Sequence, residues 1–231
     1  MTLPSHLNET HACGELKNEP IAQFEIGSYK NFVYLIIDWK RKKAAIVDPQ
    51  YELTQPLQCL QKHQLELTAI FLTHTHFDHI AGVPELTQKF PHVPIVAHRQ
   101  DLHRLDPRTM SRAKVKAIRD GDSVAVGDLE VQVIHTPGHS AGECCYLIQG
   151  SPSYLFTGDT VFIRDCGRTD IDTGSNEDMF QSLQRIKKLN PKTIILPGHH
   201  YQPECATTLE KELRESPPMR CKNVGELASL P

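Results

Sequence analysis

The sequence has no long apolar run, no excess of basic residues and no leader pattern at its N-terminus. Its apolar stretches all fall short of the ~18 residues that a membrane-spanning helix needs, which excludes such a helix. The 25 Lys and Arg side chains are outnumbered by 28 Asp and Glu, and the net charge of -3 argues against a nucleic-acid partner. The first residues are polar and lack the basic-then-apolar order of a secretory signal, so we expect a cytoplasmic protein.

Paired cysteine motifs and the usual serine-nucleophile motif are also absent. The seven cysteines form no Cys-x-x-Cys pair, and an odd count without a leader indicates reduced thiols rather than disulfides. Cys144 and Cys145 lie in an apolar stretch, where strand alternation would point them to opposite faces, so we predict that both pack in the core. Gly-x-Ser-x-Gly does not occur, and nothing else in the sequence suggests a serine or cysteine nucleophile.

The pattern of apolar residues predicts strands and helices in one layered domain. Of the 231 residues 39% are hydrophobic and 23% charged, which is enough to bury a sizeable core. Residues 32–38 and 69–73 are continuous apolar runs typical of strands, and 175–189 carries an apolar stripe at helical spacing behind the capping residues Ser175 and Asp178. Strands come first in hairpins and then alternate with helices, which indicates an α/β fold in which helices cover sheets.

We expect a single domain over residues 1–231, because the sequence contains no repeat, low-complexity segment or linker. Residues 1–20 form a polar lead in this prediction, and residues 203–231 form a short C-terminal helical tail. Composition alone leaves the choice among layered α/β designs open.

Histidine is abundant, with 13 in the chain, and one segment concentrates it. Residues 73–79 read Thr-His-Thr-His-Phe-Asp-His, directly after the predicted buried strand. His74 and His76 are two residues apart, so an extended backbone points both to the same side, and a following turn lets Asp78 and His79 face a neighbouring position. Three imidazoles and one carboxylate at a strand end suit Zn²⁺, and also Fe or Mn.

Further metal-ligating residues follow three other predicted strands. His139, Asp159 and His199 each come directly after a glycine at the end of an apolar run. Glycine permits the tight turn and the close backbone approach that a metal site needs. One such junction is weak evidence for a site, but three of them together with the histidine-rich segment are strong evidence.

With these motifs the sequence resembles the metallo-β-lactamase superfamily, and within it the glyoxalase II (hydroxyacylglutathione hydrolase)-like branch. The resemblance covers residues 32–201 and implies a four-layer αββα sandwich. It also implies two divalent metal ions at one edge between the two sheets, Zn in the first place and Fe or Mn as alternatives. It also implies a ligand set: His74, His76 and His139 for the first metal, Asp78, His79 and His199 for the second, and Asp159 as the bridge.

The same resemblance implies a hydrolase in which a metal-bound hydroxide attacks a thioester carbonyl. Asp78 and Asp159 would orient this nucleophile and relay protons, and would therefore be catalytic. Arg168, in a Cys-Gly-Arg stretch, would contact a carboxylate or phosphate of the substrate, and Tyr201 would hydrogen-bond to it. An ion pair between Arg168 and a neighbouring Asp is the structural alternative.

The sequence also resembles two other kinds of enzyme, and these imply different substrates. The stretch 166–170, Cys-Gly-Arg-Thr-Asp, is closer to persulfide dioxygenases, in which residues matching His74, His139 and Asp159 bind a single non-haem iron. Only 32 residues follow His199, whereas glyoxalase II carries a longer helical region that grips glutathione. In this respect the chain resembles small hydrolases of polyketide assembly lines. The expected substrate is therefore a small-molecule thioester, of glutathione or coenzyme A, or a carrier-protein thioester.

Overall fold

The computed structural model describes Leu7 and residues 19–230, which fold into two six-stranded sheets. In the first sheet β1–β2 and β2–β3 are antiparallel, and the three remaining pairs are parallel. Its strands in spatial order are β1 (Ile21–Ile26), β2 (Asn31–Asp38), β3 (Lys43–Val47), β4 (Glu66–Phe71), β5 (Ile95–His98) and β6 (Val115–Ile118).

The second sheet is antiparallel except for one parallel pair, β10–β11. Its strands lie in the spatial order β12, β11, β10, β9, β8 and β7. They are β7 (Ser123–Val126), β8 (Leu129–His135), β9 (Cys144–Ile148), β10 (Tyr154–Gly158), β11 (Ile194–Pro197) and β12 (Thr207–Thr208). The register of the parallel pair shifts between Phe156 and Gly158, immediately before Asp159 leaves the sheet.

Short helices lie on the outer faces and in the connecting loops. The first half of the chain contributes α1 (Thr54–His63), α2 (Phe77–Ile80), α3 (Val83–Lys89), α4 (Pro107–Arg112) and a 3₁₀ turn at Leu102–Arg104. The second half contributes α5 (Asn176–Ile186), α6 (Leu209–Glu215), α7 (Pro217–Arg220) and α8 (Val224–Ala228). Over the described ranges α5 is the longest helix, at 11 residues, and none of these helices has the length and apolar character to cross a bilayer.

Three buried clusters define four layers. The largest lies between the sheets and draws on both of them, for example through Phe32 and Tyr146. A second cluster joins the outer face of the first sheet to α1 and α3, and a third joins the outer face of the second sheet to α5–α8. Cys144 lies in the cluster between the sheets and Cys145 in the one under the helices, because neighbouring strand residues point to opposite faces. The predicted αββα sandwich is confirmed.

Helix α5 forms where the apolar stripe predicts it. Ser175 caps its N-terminus by accepting a hydrogen bond from the Asp178 amide at 3.1 Å. Met179, Leu183 and Ile186 are fully buried against the second sheet, as expected for residues on one helical face.

The ends of the chain contain more regular structure than the sequence indicates. Most of the predicted polar lead, 1–6 and 8–18, lies outside the described residues, and β1 begins at Ile21 directly after it. In the predicted C-terminal helical tail, Thr207 and Thr208 first pair with β11 as an edge strand. The Thr208 side chain then caps α6, accepting from the Lys211 amide at 3.3 Å. A threonine can serve both purposes because it favours strands and helix N-caps alike.

Candidate metal centre

The candidate ligands converge where strands of both sheets end. The first four follow β4, and the other three follow β8, β10 and β11. The loops are joined through the backbone: the Cys144 amide donates to the Thr73 carbonyl, and the Gly198 amide donates to the Gly158 carbonyl, each at 2.8 Å. The structure thus brings together all seven residues: His74, His76, Asp78, His79, His139, Asp159 and His199.

The first cluster consists of His74, His76 and His139, whose ligand atoms all lie within 4.8 Å of one another. His139 donates its Nδ1–H to the Arg168 carbonyl at 2.8 Å, which leaves the Nε2 lone pair facing His76 Nδ1 at 2.9 Å. His74 Nε2 is buried and has no hydrogen-bond partner. A buried polar atom without a partner is costly, and a metal ion would satisfy it.

The second cluster consists of Asp78, His79 and His199. His79 Nδ1 donates to Asp48 Oδ2 at 3.0 Å, and His199 Nδ1 donates to the Tyr29 carbonyl at 2.9 Å. In neutral rings the two Nε2 atoms therefore both carry lone pairs, and they lie only 3.1 Å apart. Such a contact is favourable only with a proton or a metal cation between the rings.

The surroundings shift the histidine pKa in opposite directions in the two clusters. Burial lowers the pKa of His79, but the Asp159, Asp48 and Asp78 carboxylates outweigh it and raise that pKa to about 9, so this position favours a cation. Burial, reinforced by His139, lowers the pKa of His76 to about 4. His76 therefore stays neutral, as a metal-ligating imidazole must be.

Asp159 lies between the clusters. Its Oδ2 is 3.4 Å from His139 Nε2 and 3.5 Å from His199 Nε2, and its Oδ1 is 3.5 Å from His79 Nε2. Burial raises the pKa of this carboxyl, but its contacts with the imidazoles of His79 and His199 outweigh burial and hold the pKa well below its usual range. One carboxylate thus faces ligand nitrogens of both clusters.

Asp48 is a site residue that the sequence reasoning missed. It follows β3 in a left-handed backbone conformation, with φ of 50°. Its Oδ1 accepts from the Thr73 amide at 2.7 Å, and its Oδ2 accepts from the Thr73 hydroxyl at 2.6 Å as well as from His79. Because these donors occupy its oxygens, Asp48 orients His79 rather than facing the open site. A carboxylate at the end of the apolar run 44–48 is the signal that could have revealed it.

A cavity of about 880 Å³ opens beside the clusters, and both predicted substrate-binding residues line it. The Arg168 side chain is exposed and pairs with Asp170 through contacts of 2.7 and 2.8 Å. The Tyr201 ring stacks on His199 at 4.7 Å and 8°. Burial, with Asp159 and Asp78, raises the pKa of Tyr201 to about 12, which keeps its hydroxyl protonated as a donor.

Apolar residues complete this cavity. Phe162 lies edge-on to both His199 and Tyr201, and Leu227 and Leu230 of the C-terminal segment also line the cavity. Cys166 also lines the cavity, but burial raises the pKa of its thiol to about 12, which makes it a poor nucleophile. Cys166 is therefore poorly suited to act as a nucleophile at neutral pH.

The donor set fits metal ions of the zinc type. Imidazole nitrogens and carboxylate oxygens suit Zn²⁺. In three of the histidines a hydrogen bond from Nδ1 fixes the ring so that Nε2 faces the site, as is usual for histidines that bind metal. The fold and the two ligand clusters together define a metal-binding α/β sandwich. Residues 28–199 match the family model described as the metallo-beta-lactamase superfamily, and the chain belongs to that superfamily.

Similar proteins include a polyketide-biosynthesis hydrolase and a hydroxyacylglutathione hydrolase. The chain is 35% identical over 175 residues to the probable polyketide biosynthesis zinc-dependent hydrolase PksB of Bacillus subtilis, covering 75% of this chain and 74% of PksB. It is 36% identical over 171 residues to the hydroxyacylglutathione hydrolase of Citrobacter koseri, covering 74% of this chain but only 62% of that enzyme.

Among solved structures, ETHE1 from Myxococcus xanthus superposes with a TM-score of 0.79 at 31% identity, covering 91% of this chain and 92% of ETHE1. The predicted family and its branches are confirmed by these matches, and the relatives PksB and hydroxyacylglutathione hydrolase are hydrolases by name.

Proposed function

We propose that the protein is a dinuclear metal-dependent hydrolase that cleaves a thioester. The observation that carries this proposal is the pair of ligand clusters with Asp159 between them, beside an open cavity. His74, His76 and His139 would hold one metal, Asp78, His79 and His199 the other, and Asp159 would bridge. Zinc is the metal proposed first, because PksB is named as zinc-dependent and the donors suit zinc.

Two divalent ions held by these ligands would lower the pKa of a bound water and polarise a carbonyl oxygen. The protein then has to hold the attacking water, take up its proton and position the substrate. Asp78 and Asp159 are the carboxylates that face the ligand nitrogens, at 3.4 to 3.5 Å, and we assign the proton-accepting and orienting roles to them.

A thioester is the proposed substrate because of the cavity and the relatives. Tyr201 offers a protonated hydroxyl next to His199, and Arg168 can exchange its exposed Asp170 partner for a substrate carboxylate or phosphate. The carriers of acyl thioesters bear such anionic groups. Relatives are named for hydrolysis of a glutathione conjugate and for polyketide biosynthesis, so a small-molecule or a carrier-protein thioester is proposed.

Metal stoichiometry combined with a thioester panel tests the function. We expect two divalent ions per chain by elemental mass spectrometry, and hydrolysis of at least one among glutathione, coenzyme A and carrier-protein acyl thioesters. A chelator should abolish this activity and zinc should restore it. Two bound ions without any thioesterase activity would refute the thioester assignment.

The alternative is a mononuclear iron persulfide dioxygenase, suggested by the stretch 166–170. Its signature would be one iron per chain, bound at His74, His139 and Asp159, with oxygen uptake on glutathione persulfide. His74 and His139 lie in one cluster with His76, and Asp159 Oδ2 contacts His139, so the geometry permits this triad as well. Finding that signature would replace the hydrolase proposal.

A further inference from the structure

Arg164 lies in a turn that forms part of the cavity wall, but neither the motifs nor the proposed reaction uses it. Two backbone hydrogen bonds between Phe162 and Asp165, of 2.9 and 3.4 Å, close this turn over residues 162–165. Phe162, Asp165 and the following Cys166 line the cavity. The position of the turn therefore decides the shape of one part of the cavity.

The backbone of Arg164 has a conformation that arginine does not favour. Its φ of 61° lies in the left-handed region, and it is the third residue of the four-residue turn. Glycine or asparagine is usual at such a position, because a Cβ is unfavourable there. The arginine is therefore held at a cost in backbone energy, and contacts of its side chain offset that cost.

The guanidinium of Arg164 contacts a second segment, which follows β11. Its Nη1 and Nη2 donate to the two carboxylate oxygens of Glu204, each at 2.8 Å, and Nη2 also donates to Gln202 Oε1 at 2.9 Å. The hydrogen bonds from Arg164 outweigh burial and hold the pKa of Glu204 well below its usual range. Both carboxylate oxygens thus accept from one planar side chain, the geometry in which arginine binds a carboxylate most specifically.

This second segment carries Tyr201, the proposed hydrogen-bond donor to the substrate. Residues 200–206 belong to no helix or strand, and Tyr201 itself is exposed, so neither strand pairing nor deep burial fixes its position. Phe162 lies edge-on to the Tyr201 ring, with centroids 5.3 Å apart at an angle of 80°. The two residues that accept from Arg164 follow Tyr201 within three positions. Arg164 therefore binds this segment close to the place where Phe162 meets Tyr201.

Helix α6 is part of the same network. The Arg164 backbone amide donates to Glu212 Oε2 at 2.7 Å, and Lys211 Nζ donates to Glu204 Oε1 at 3.0 Å. A single, partly exposed ion pair contributes little to stability on its own. Here, however, one arginine connects the turn, the segment after β11 and α6, so it fixes the relative positions of three parts of the chain.

We propose that Arg164 and Glu204 are positioning residues for the proposed reaction: their ion pair fastens the turn 162–165 to the segment that carries Tyr201. The pair thereby keeps the Phe162 and Tyr201 rings in contact and holds the Tyr201 hydroxyl where it meets the substrate. Neither Arg164 nor Glu204 touches the substrate or a metal ion in this arrangement. The inference rests on the proposed function, because that function gives Tyr201 its contact with the substrate.

The kinetic test is a double-mutant cycle between Arg164→Gly and Tyr201→Phe. Glycine suits the backbone conformation of residue 164, so R164G removes the side chain without straining the turn. If Arg164 acts through Tyr201, R164G lowers kcat/KM by about 3- to 10-fold, as Y201F should, and the double variant is no worse than Y201F alone. Unchanged kcat/KM in R164G, or two effects that multiply in the double variant, would overturn the inference.

Glu204→Gln is the second variant, because an amide offers the guanidinium only one acceptor oxygen. It should lower kcat/KM as R164G does, without changing the metal content measured by elemental mass spectrometry. The matched control is D120N. Asp120 forms a partly exposed, two-contact ion pair with Arg185, at 2.8 and 3.0 Å, and neither is among the described residues that line the cavity. D120N should keep wild-type kinetics, and equal kinetics in E204Q and D120N would contradict the inference.

A readout that needs no substrate separates this inference from the proposed function. In protein labelled with 3-fluorotyrosine, the Tyr201 resonance among those of the six tyrosines is identified by its absence in Y201F. Because the Tyr201 ring lies against Phe162, its ¹⁹F chemical shift should change in R164G and E204Q but not in D120N. A changed shift in a protein that hydrolyses no thioester refutes the function and supports the positioning of Tyr201. An unchanged shift overturns the inference, whatever the activity.

Discussion

At the residue scale, the candidate ligands depend on partners that hold the opposite ring nitrogen. Backbone carbonyls of Arg168 and Tyr29 accept from His139 and His199, and the Asp48 carboxylate accepts from His79. These contacts leave the remaining nitrogens as lone-pair donors toward the site, so the orientation of the ligands is established by the protein before any metal binds.

Asp159→Ala should lose metal and activity together, because this carboxylate lies within 3.5 Å of ligand nitrogens in both clusters. Elemental analysis of the purified variant, alongside a thioesterase assay, measures both effects. Retention of two ions per chain in the variant would show that the bridging assignment is wrong.

Tyr201→Phe should lower kcat/KM by about 3- to 10-fold, the range that corresponds to one lost hydrogen bond. The ring stack on His199 persists in the variant, so the metal content should be unchanged. Steady-state kinetics with the best thioester measures the effect. Unchanged kinetics would remove Tyr201 from the substrate-binding residues.

His98 predicts a pH dependence of stability. It stacks on His135 at 4.0 Å and 16°, and burial, reinforced by the charge of His135, lowers its pKa from 6.5 to about 4. The unfolded chain therefore binds a proton at higher pH than the folded chain does. This contribution to the free energy of unfolding is complete above pH 6.5 and is lost as the pH falls from 6.5 toward 4.

Urea unfolding of the wild type and His98→Gln at pH 7 and pH 4.5 isolates this effect, since contributions from distant groups cancel in the difference. The gap in stability between the two proteins should shift in favour of H98Q at the lower pH. A gap that does not depend on pH would contradict the assignment.

At the scale of elements, helix α5 illustrates how sequence pattern becomes packing. Its N-cap and its buried face follow from residues three and four positions apart, and it packs against α7, α8 and the second sheet. The helix therefore supports the C-terminal segment whose Leu227 and Leu230 line the cavity.

Leu183→Ala on α5 should reduce the free energy of unfolding by about 2–5 kcal/mol, because Leu183 is fully buried. Gln181→Ala is the matched control on the exposed face of the same helix and should change stability by less than about 0.5 kcal/mol. Chemical denaturation measures both. Equal effects would mean that this face is not packed as described.

Strands differ in how well the sequence reveals them. Continuous apolar runs reveal β2 and β4, and β8 shows the alternation of apolar and polar residues that is typical of a strand. The short strand β6 goes unnoticed because two of its four residues are exposed and charge interrupts the run. β12 is only two residues long and forms because it pairs with the edge of β11. This pairing depends on residues that are distant in the sequence, so local spacing does not predict it.

At the scale of the whole molecule, the candidate site joins the two sheets. Tyr34 of the first sheet donates to the Pro197 carbonyl of the second, and Tyr146 of the second donates to the carbonyl of Leu72, directly after β4 of the first, each at 2.6 Å. Four candidate ligands come from the first sheet and three from the second. Metal bound between them would therefore hold the two halves of the sandwich together.

Removing the metal should consequently lower the stability of the whole chain. With free zinc roughly 100- to 1,000-fold above Kd, binding contributes about 2.7 to 4.1 kcal/mol, or a loss of roughly 5–15 °C in Tm on chelation. Calorimetry with and without chelator measures this loss. The Asp159→Ala variant should show little response to the chelator, and a response of wild-type size would contradict the linkage.

The sequence by itself determined the chemical identity of the candidate ligands and their places at strand ends. Spacing of two residues, a preceding glycine and an apolar run are local properties, so His74, His76, Asp78, His79, His139, Asp159 and His199 are recognisable without coordinates. Only the tertiary structure decided which nitrogen of each imidazole faces the site. The Asp48 carboxylate and the Tyr29 carbonyl lie 31 and 170 residues away along the chain from the histidines that they hold, His79 and His199. Such partners come together only when the chain folds, so local spacing cannot reveal them.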